Sequence, residues 1–220
     1  MFFFPFTLIL ILFLIFFTPL LFIFVKIGII GAAFEKLGIP AGYAISFYFI
    51  SLLASSINIP IFKREIKTRP HGNWRYLDLF FGPLPQVYKE QVIAVNVGGC
   101  IIPLAVAIYL VPRVSFIPFI LSFLIVTIVS YLAARPVEGI GIIMPFWLSP
   151  LVSALAAVLL SPPDQTAAVA FIAGVMGTIL GADILHLKDF VKDMPGVMSI
   201  GGAGVFDGIY LTGIIAAFLA

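Results

Sequence analysis

The chain has 220 residues, of which 62% are hydrophobic and 10% are charged, and its mean hydropathy is +1.22. This composition excludes an ordinary soluble domain. The net charge is only +2, and the single cysteine, Cys100, excludes an intramolecular disulfide. Several apolar runs are long enough to cross ~30 Å of hydrocarbon, and they lack the alternation of β-barrel strands. The predicted fold class is therefore an all-α, polytopic transmembrane helical bundle, with residues 1–220 forming a single integral membrane domain.

The first predicted span is the run of Phe, Leu and Ile from Phe2 to Val25, which is longer than the apolar core of a signal peptide. The second span runs from about Ala41 to Ile61. Within it, Asn58 stands two residues before Pro60, and proline disfavours helix at the residue that precedes it. The second helix is therefore expected to end near Pro60.

Residues 62–91 form the long polar segment of the chain and contain six of its twelve basic residues. Basic and aromatic residues interleaved in this way can indicate nucleic-acid binding. Here, however, the segment directly flanks two apolar runs, where Lys and Arg keep a loop in the cytoplasm and aromatic side chains lie among the lipid headgroups. We therefore expect a long cytoplasmic loop at about 62–91 and no nucleic-acid partner.

Five further spans are predicted after this loop. The fifth span of the chain contains Pro145 and Pro150, and two prolines in one span predict a kinked or broken helix near the cytoplasmic side. In order, the five spans begin at about Val92, Phe116, the turn at 135–141, Thr166 and Ile200. With the long loop inside the cell, nine of the twelve basic residues are cytoplasmic. This asymmetry predicts about seven spans in the cell membrane, with the N-terminus cytoplasmic and the C-terminus outside.

Two aspartates lie within runs that otherwise indicate membrane. Asp183 is predicted to lie roughly 7 Å, and Asp207 roughly 10 Å, from the cytoplasmic ends of their spans. An ionisable side chain in hydrocarbon costs ~2.5–3.5 kcal/mol on insertion scales, so a functional role is the default interpretation. Ala173, Gly177 and Gly181 precede Asp183 at four-residue spacing, which permits a neighbouring helix to approach closely. Two carboxylates at one depth suggest a shared proton. The alternative is that each aspartate caps a broken helix or bonds to a backbone N–H and takes no part in chemistry.

Other polar or helix-breaking residues share this predicted depth. Asn58 and Asn96 lie three or four residues from the cytoplasmic ends of spans two and three, and Pro145 enters span five from the same side. We therefore predict one site, open to the cytoplasm, with Asp183 and Asp207 as its catalytic pair. Its predicted binding residues are Asn58, Asn96, Pro145, Gly181, Gly202 and Gly204.

Asp183, His186 and Asp189 have the three-residue spacing of candidate metal ligands. Their angular spread on a helix is wide, and the last two fall at the predicted water interface. We therefore interpret them as a solvated helix end, and expect neither a metal nor a cofactor.

The segments Gly181–Leu185 and Ser199–Gly213 together resemble domain-of-unknown-function family 1614, whose members are archaeal and bacterial membrane proteins. Asn58-Ile59-Pro60, Asn96-Val97-Gly98-Gly99 and Gly139-Ile140-Gly141 fit the same pattern, so the resemblance covers most of the chain. It implies a membrane location and no particular activity.

The chain is more distantly similar to intramembrane aspartyl proteases of the presenilin and signal-peptide-peptidase type. Those enzymes use two aspartates on adjacent helices, one of them in Gly-x-Gly-Asp, and a later Pro-Ala-Leu motif. This chain departs from both motifs, because two residues separate Gly204 from Asp207 and Pro145-Phe146-Trp147 precedes the aspartates without matching. The similarity implies the chemistry of paired membrane aspartates.

These observations favour an intramembrane aspartyl hydrolase that acts on a membrane peptide. The alternative is a small proton- or cation-coupled transporter, because broken helices beside paired acids also suit ion binding. A third interpretation is a non-catalytic membrane scaffold, in which the aspartates only cap helices. The predicted partners are the lipid bilayer and either a membrane peptide or a small ion or proton.

Overall fold

The structure is a computed structural model, and it describes residues 27–68, 87–137, 141–188, 196–202 and 208–220. The predicted first span and the predicted site residues Gly204 and Asp207 lie outside the described residues. So do residues 69–86 of the predicted loop, and Asp189.

Most of the described residues are helical. In chain order the helices are α1 (Ile27–Lys36), α2 (Ala41–Ala54), α3 (Ile102–Leu110), α4 (Phe116–Ala133), α5 (Leu148–Leu160), α6 (Thr166–Thr178) and α7 (Gly208–Leu219). A first π-helical turn, Val97–Ile101, leads into α3, and a second, Ile179–Ile184, continues α6. A short 3₁₀ turn, Val111–Arg113, follows α3. The prediction of a mostly helical chain is therefore confirmed.

Two helices are long and apolar enough to cross a membrane: α4, with a mean hydropathy of 2.4, and α6 with the second π-turn, with a mean hydropathy of 1.9. Helices α1 and α2 are bent by 118° at the turn between them, and only the two together are long and apolar enough to cross a membrane. α3 with its flanking turns, α5 and α7 are apolar but shorter. By length and composition, the described residues therefore contain two membrane-length helices, or three when the bent pair counts as one span.

The described residues also contain strands. These are β1 (Asn58–Thr68), β2 (Val87–Asn96), β3 (Arg135–Val137), β4 (Gly141–Ile143) and β5 (Gly196–Ile200). β1 and β2 pair antiparallel, and β5 pairs parallel with β2, which makes a three-stranded sheet in the order β1-β2-β5. β3 and β4 form a separate antiparallel hairpin.

The prediction of an all-α chain is therefore wrong at the ends of three spans. The second helix ends at Ala54 rather than near Pro60, the third begins at Val97 rather than Val92, and Ile200 closes β5 rather than starting a helix. The predicted loop at 62–91 likewise contains parts of β1 and β2. The reason is that a short apolar run is equally compatible with a helix and with a buried strand.

Helix α6 lies at the centre of the bundle. Of the apolar stretch formed by α6 and the second π-turn, 72% is buried inside the structure, compared with 28% of the apolar stretch of α4. The two helices approach closely, because a Cβ at Gly177 would lie 2.8 Å from Val126 and one at Gly181 would lie 2.3 Å from the Thr127 carbonyl oxygen. The prediction that these small residues admit a neighbouring helix is confirmed.

The bundle has two distinct ends. At one, Lys36 Nζ donates a hydrogen bond to the Phe218 carbonyl oxygen (2.9 Å), and the Ser115 N–H donates to Gln165 Oε1 (2.7 Å). At the other, the three-stranded sheet contacts both π-turns. We call this second region the sheet end, and it contains the candidate site.

Candidate functional site

The candidate site forms where the parallel strands β2 and β5 end side by side. Val95 and Ile200 are register partners, so the next residues, Asn96 and Gly201, leave the sheet together. Asn96 starts the first π-turn, and Gly201 turns the chain with a φ of +75°, a conformation that favours glycine. Because β2 and β5 are parallel and end side by side, the segments that follow them, beginning with Asn96 and Gly201, lie next to each other.

Asn96 connects three parts of the backbone at this junction. Its Oδ1 accepts the Gly99 N–H (2.7 Å), which caps the first π-turn. Its Nδ2 donates to the Ser55 carbonyl oxygen (2.6 Å), just beyond α2, and to Asn58 Oδ1 (3.1 Å) at the start of β1. Because Asn96 is only 3% exposed, each of these bonds replaces one that water would otherwise make.

Asn58 extends the same network to β5. Its Oδ1 also accepts a hydrogen bond from Ser199 Oγ (2.5 Å). One buried and one exposed asparagine thus hold the end of α2, the start of β1, the end of β2 and the end of β5 together. The sequence predicted Asn58 and Asn96 as neighbours at one depth, whereas Ser199 was not predicted, although it directly precedes the glycine-rich run.

Asp183 reaches this junction from α6. It lies in the second π-turn and is partly buried, and its Oδ2 accepts the Gly201 N–H (2.9 Å). Gly201 in turn packs on the first π-turn, since a Cβ there would lie 2.7 Å from Cys100 Cβ. Both π-turns therefore contact the same glycine. π-helical turns frequently occur at functional sites.

The two described glycines of the predicted site serve close packing. Gly202 lies against Asn96, whose Nδ2 would be 2.8 Å from an added Cβ. Gly181 lies against α4, as described above, and its carbonyl oxygen is 3.2 Å from His186 Nδ1. Their predicted binding roles stay predictions, and so do those of Asn58 and Asn96.

Pro145 follows the β3–β4 hairpin, and strand β4 of this hairpin contacts β5 of the three-stranded sheet. Pro145 lines a cavity of about 540 Å³ together with Arg135 and Met144. The span with Pro145 and Pro150 was predicted to be kinked or broken near the cytoplasmic side, and in the structure α5 begins only at Leu148, after Pro145. Pro150 is the third residue of this helix, within the first turn, where the missing N–H of proline costs nothing.

His186 was interpreted as part of a solvated helix end, and this is wrong. Its ring is only 6% exposed and tilts over the Tyr131 ring, with the centroids 4.8 Å apart. Nδ1 lies 3.0 Å from the Ala182 carbonyl oxygen as well as near that of Gly181, so Nδ1 carries the proton and donates. Within the described ranges, no group of three His, Cys, Asp or Glu side chains is close enough to hold a metal ion.

Taken together, the fold defines a mostly helical protein in which membrane-length helices meet a small sheet at one end. The sequence profile of the family described as "Protein of unknown function (DUF1614)" matches residues 52–219, so the chain belongs to that family. The family resemblance drawn from the sequence is confirmed, and the match includes the whole junction. No curated protein and no solved structure matches the chain.

Proposed function

We propose that the protein is an integral membrane hydrolase of the aspartyl-protease type, in which Asp183 and Asp207 cleave a peptide bond of a membrane-embedded substrate. The observation that carries this proposal is the hydrogen bond from the Gly201 N–H to Asp183 Oδ2. It ties a carboxylate of the central helix to the glycine-rich segment that leads directly to Asp207 in the sequence.

The packing of α7 on α6 supports a short distance between the two aspartates. A Cβ at Gly174 would lie 3.3 Å from Thr212 Cγ2, and one at Gly213 would lie between Val175 Cγ2 (2.7 Å) and the Phe171 ring (2.8 Å). Further along α7, Ala216 packs in one cluster with Val169 and Ala170, so the helices run antiparallel. In this register Gly208 is level with Thr178, which is about 7 Å of helix from Asp183. Asp207 immediately precedes Gly208 in the chain.

The proposed chemistry is general acid and base catalysis. One carboxylate takes a proton from water, and the resulting hydroxide oxygen bonds to the substrate carbonyl carbon. The other carboxyl group protonates the leaving amide nitrogen as the C–N bond breaks, so one water is consumed and each aspartate can return to its starting state. Two aspartates that share one proton provide both roles.

We propose further that the chain spans the membrane about seven times, with its N-terminus in the cytoplasm and its C-terminus outside. Under this topology the sheet end faces the cytoplasm, where β1 and β2 continue into the basic segment. The opposite end, with Lys36, Arg113 and Asp164, faces outward. Substrate cleavage would then occur near the cytoplasmic surface of the membrane.

A proton- or cation-coupled transporter is the second candidate. The observations that favour it are the two π-turns and the 118° bend between α1 and α2, because interrupted helices commonly form ion sites in transporters. The hydrogen bonds of Asn58 and Asn96 count against it, since the asparagine oxygens already accept bonds from protein donors. For this reason the hydrolase is the first proposal.

The test is an assay of the full chain in liposomes against a library of membrane-spanning peptides, with products detected by mass spectrometry. We expect cleavage by the wild type, and a decrease of about 10²–10⁴-fold in Asp183→Asn and in Asp207→Asn, because general acid or base catalysis is lost. Asp164→Asn is the matched control, since Asp164 is exposed at the opposite end of the bundle and should not affect cleavage.

Proton and cation flux should be measured in the same liposomes. Flux in the wild type that is lost in both aspartate variants, without any cleavage, would replace the hydrolase with the transporter. If the variant with both aspartates replaced by Asn keeps every activity of the wild type, the aspartates are only caps and the scaffold interpretation stands.

A further inference from the structure

An apolar groove lies away from the sheet end, between the α1–α2 turn and one face of α3. Its volume is about 450 Å³, within the usual range of small-molecule sites. The α3 side is formed by Ile102, Val106 and Tyr109, whose spacing places them on one helix face over about 10 Å. The other side is formed by Pro40, Tyr43 and Phe47.

The positively charged side chain of Arg113 lies at the Tyr109 end of this groove. The Arg113 guanidinium lies over the Tyr109 ring, 4.1 Å from its centroid, and Nη2 donates a hydrogen bond to the Tyr109 hydroxyl. Arg113 is exposed, and within the described ranges its polar contacts are those with Tyr109. Several donors of this guanidinium therefore remain available to an anion from outside the described residues.

The position of Arg113 fits the surface of a membrane. The helical stretch Val97–Arg113 is apolar and ends at this residue, and Arg at the end of such a stretch lies at headgroup level. Tyr43 and Tyr109 are 63% and 55% exposed, and tyrosine is enriched at the same level. Beside the groove, Ile101 and Ile108 are exposed as well, so the surroundings are apolar.

We propose that this groove binds an anionic phospholipid, with one acyl chain along the α3 face and the phosphate paired with Arg113. The apolar walls match the chain, and a planar guanidinium matches a phosphate through two parallel hydrogen bonds. The charge distinguishes a lipid from the run from Phe2 to Val25, because that run contains no acidic residue.

The test uses native mass spectrometry of the full chain in detergent, titrated separately with phosphatidylglycerol and phosphatidylcholine of identical acyl chains. We expect the first lipid to bind about tenfold more tightly, because its headgroup lacks a competing cation and its phosphate can form charge-assisted bonds. Arg113→Gln should remove this preference. Ala105→Trp, at a residue that also lines the groove, should weaken both lipids.

Arg135→Gln is the matched control, since Arg135 follows the opposite end of α4 from Arg113 and should not affect either lipid. Equal affinity of the two lipids for the wild type would overturn the proposal, as would an unchanged preference in Arg113→Gln. A dimer that dissociates in Ala105→Trp, without loss of lipid, would assign the groove to a second copy instead. Absence of bound lipid in every variant would also reject the proposal.

Discussion

At the scale of single residues, the two asparagines of the junction, Asn96 and Asn58, form different sets of hydrogen bonds. Asn96 uses both ends of its amide, because Oδ1 accepts one backbone N–H and Nδ2 donates two hydrogen bonds. Asn58 uses its oxygen, which accepts from Asn96 and Ser199. Asn96 therefore requires both the oxygen and the NH₂ group of its amide, whereas Asn58 requires only the acceptor oxygen.

This difference predicts opposite results for one substitution. Asn96→Asp removes both Nδ2 donors and places a carboxylate against the Ser55 carbonyl oxygen and Asn58 Oδ1, so we expect a loss of about 2–4 kcal/mol in the free energy of unfolding. Asn58→Asp keeps the acceptor for both donors, and we expect a change below about 1 kcal/mol. Chemical denaturation in detergent measures both values. Equal losses in the two variants would contradict the hydrogen-bond assignment.

The sequence placed Asn58, Asn96 and Asp183 at one depth by helical rise, but Asn58 and Asn96 lie on strands β1 and β2, so that premise holds only for Asp183. The structure brings the three residues together at the end of β5, through Ser199 and Gly201. The joining atoms are a hydroxyl and a backbone N–H, which carry no spacing pattern that a sequence reveals. His186 illustrates the same limit, because its partners are backbone carbonyls of its own turn.

At the scale of elements, uninterrupted apolar segments were predicted best. The fourth span was expected to begin at about Phe116, and α4 occupies Phe116–Ala133, because eighteen consecutive apolar or small residues have few alternatives to a helix. The strands were missed because β2 continues directly into a helix without a polar break. The β-branched residues Val92, Ile93 and Val95 were the signal that favoured a strand.

The β1–β2 pairing can be tested by a cross-link. Glu65 and Glu90 are register partners, so their Cα atoms should lie within the 4.4–6.8 Å that a disulfide requires, roughly the spacing of antiparallel partners. In a chain with Cys100→Ala, the pair Glu65→Cys and Glu90→Cys should oxidise nearly completely. Free-thiol titration after unfolding measures the yield.

The control pair is Glu65→Cys with Val92→Cys. Val92 is the partner of Lys63, so this pair is offset along the strands and is expected to exceed the disulfide range. Equal yields from the two pairs would mean that β1 and β2 are not held in the described register.

At the scale of the whole molecule, the polar features separate into two ends. The junction of Asn96 with Asp183 lies at the sheet end, and Arg113 with Asp164 lies beyond the opposite helix ends. The charge asymmetry of the sequence also predicted two ends for the helical bundle, although it did not predict that a sheet forms one of them.

The proposed orientation predicts which end faces the cytoplasm. In intact cells, a membrane-impermeant thiol reagent should label Asp164→Cys, at the end assigned to the outside, but should label Thr68→Cys only after the membrane is opened. The parent chain is the control, because its Cys100 is 5% exposed and should react little. Labelling of Thr68→Cys from outside would reverse the topology and move the proposed cleavage to the outer surface.

The parallel pairing of β2 with β5 also sets the timing of assembly during synthesis. β2 leaves the ribosome roughly 100 residues before β5, which corresponds to about 5–20 s of translation. During that interval α3 to α6 are synthesised while the β5-facing edge of β2 has no native partner, and an open edge invites pairing with other chains. Asp183 is likewise synthesised before Gly201, so most helices of the nascent chain exist before the hydrogen bond of the candidate site can form.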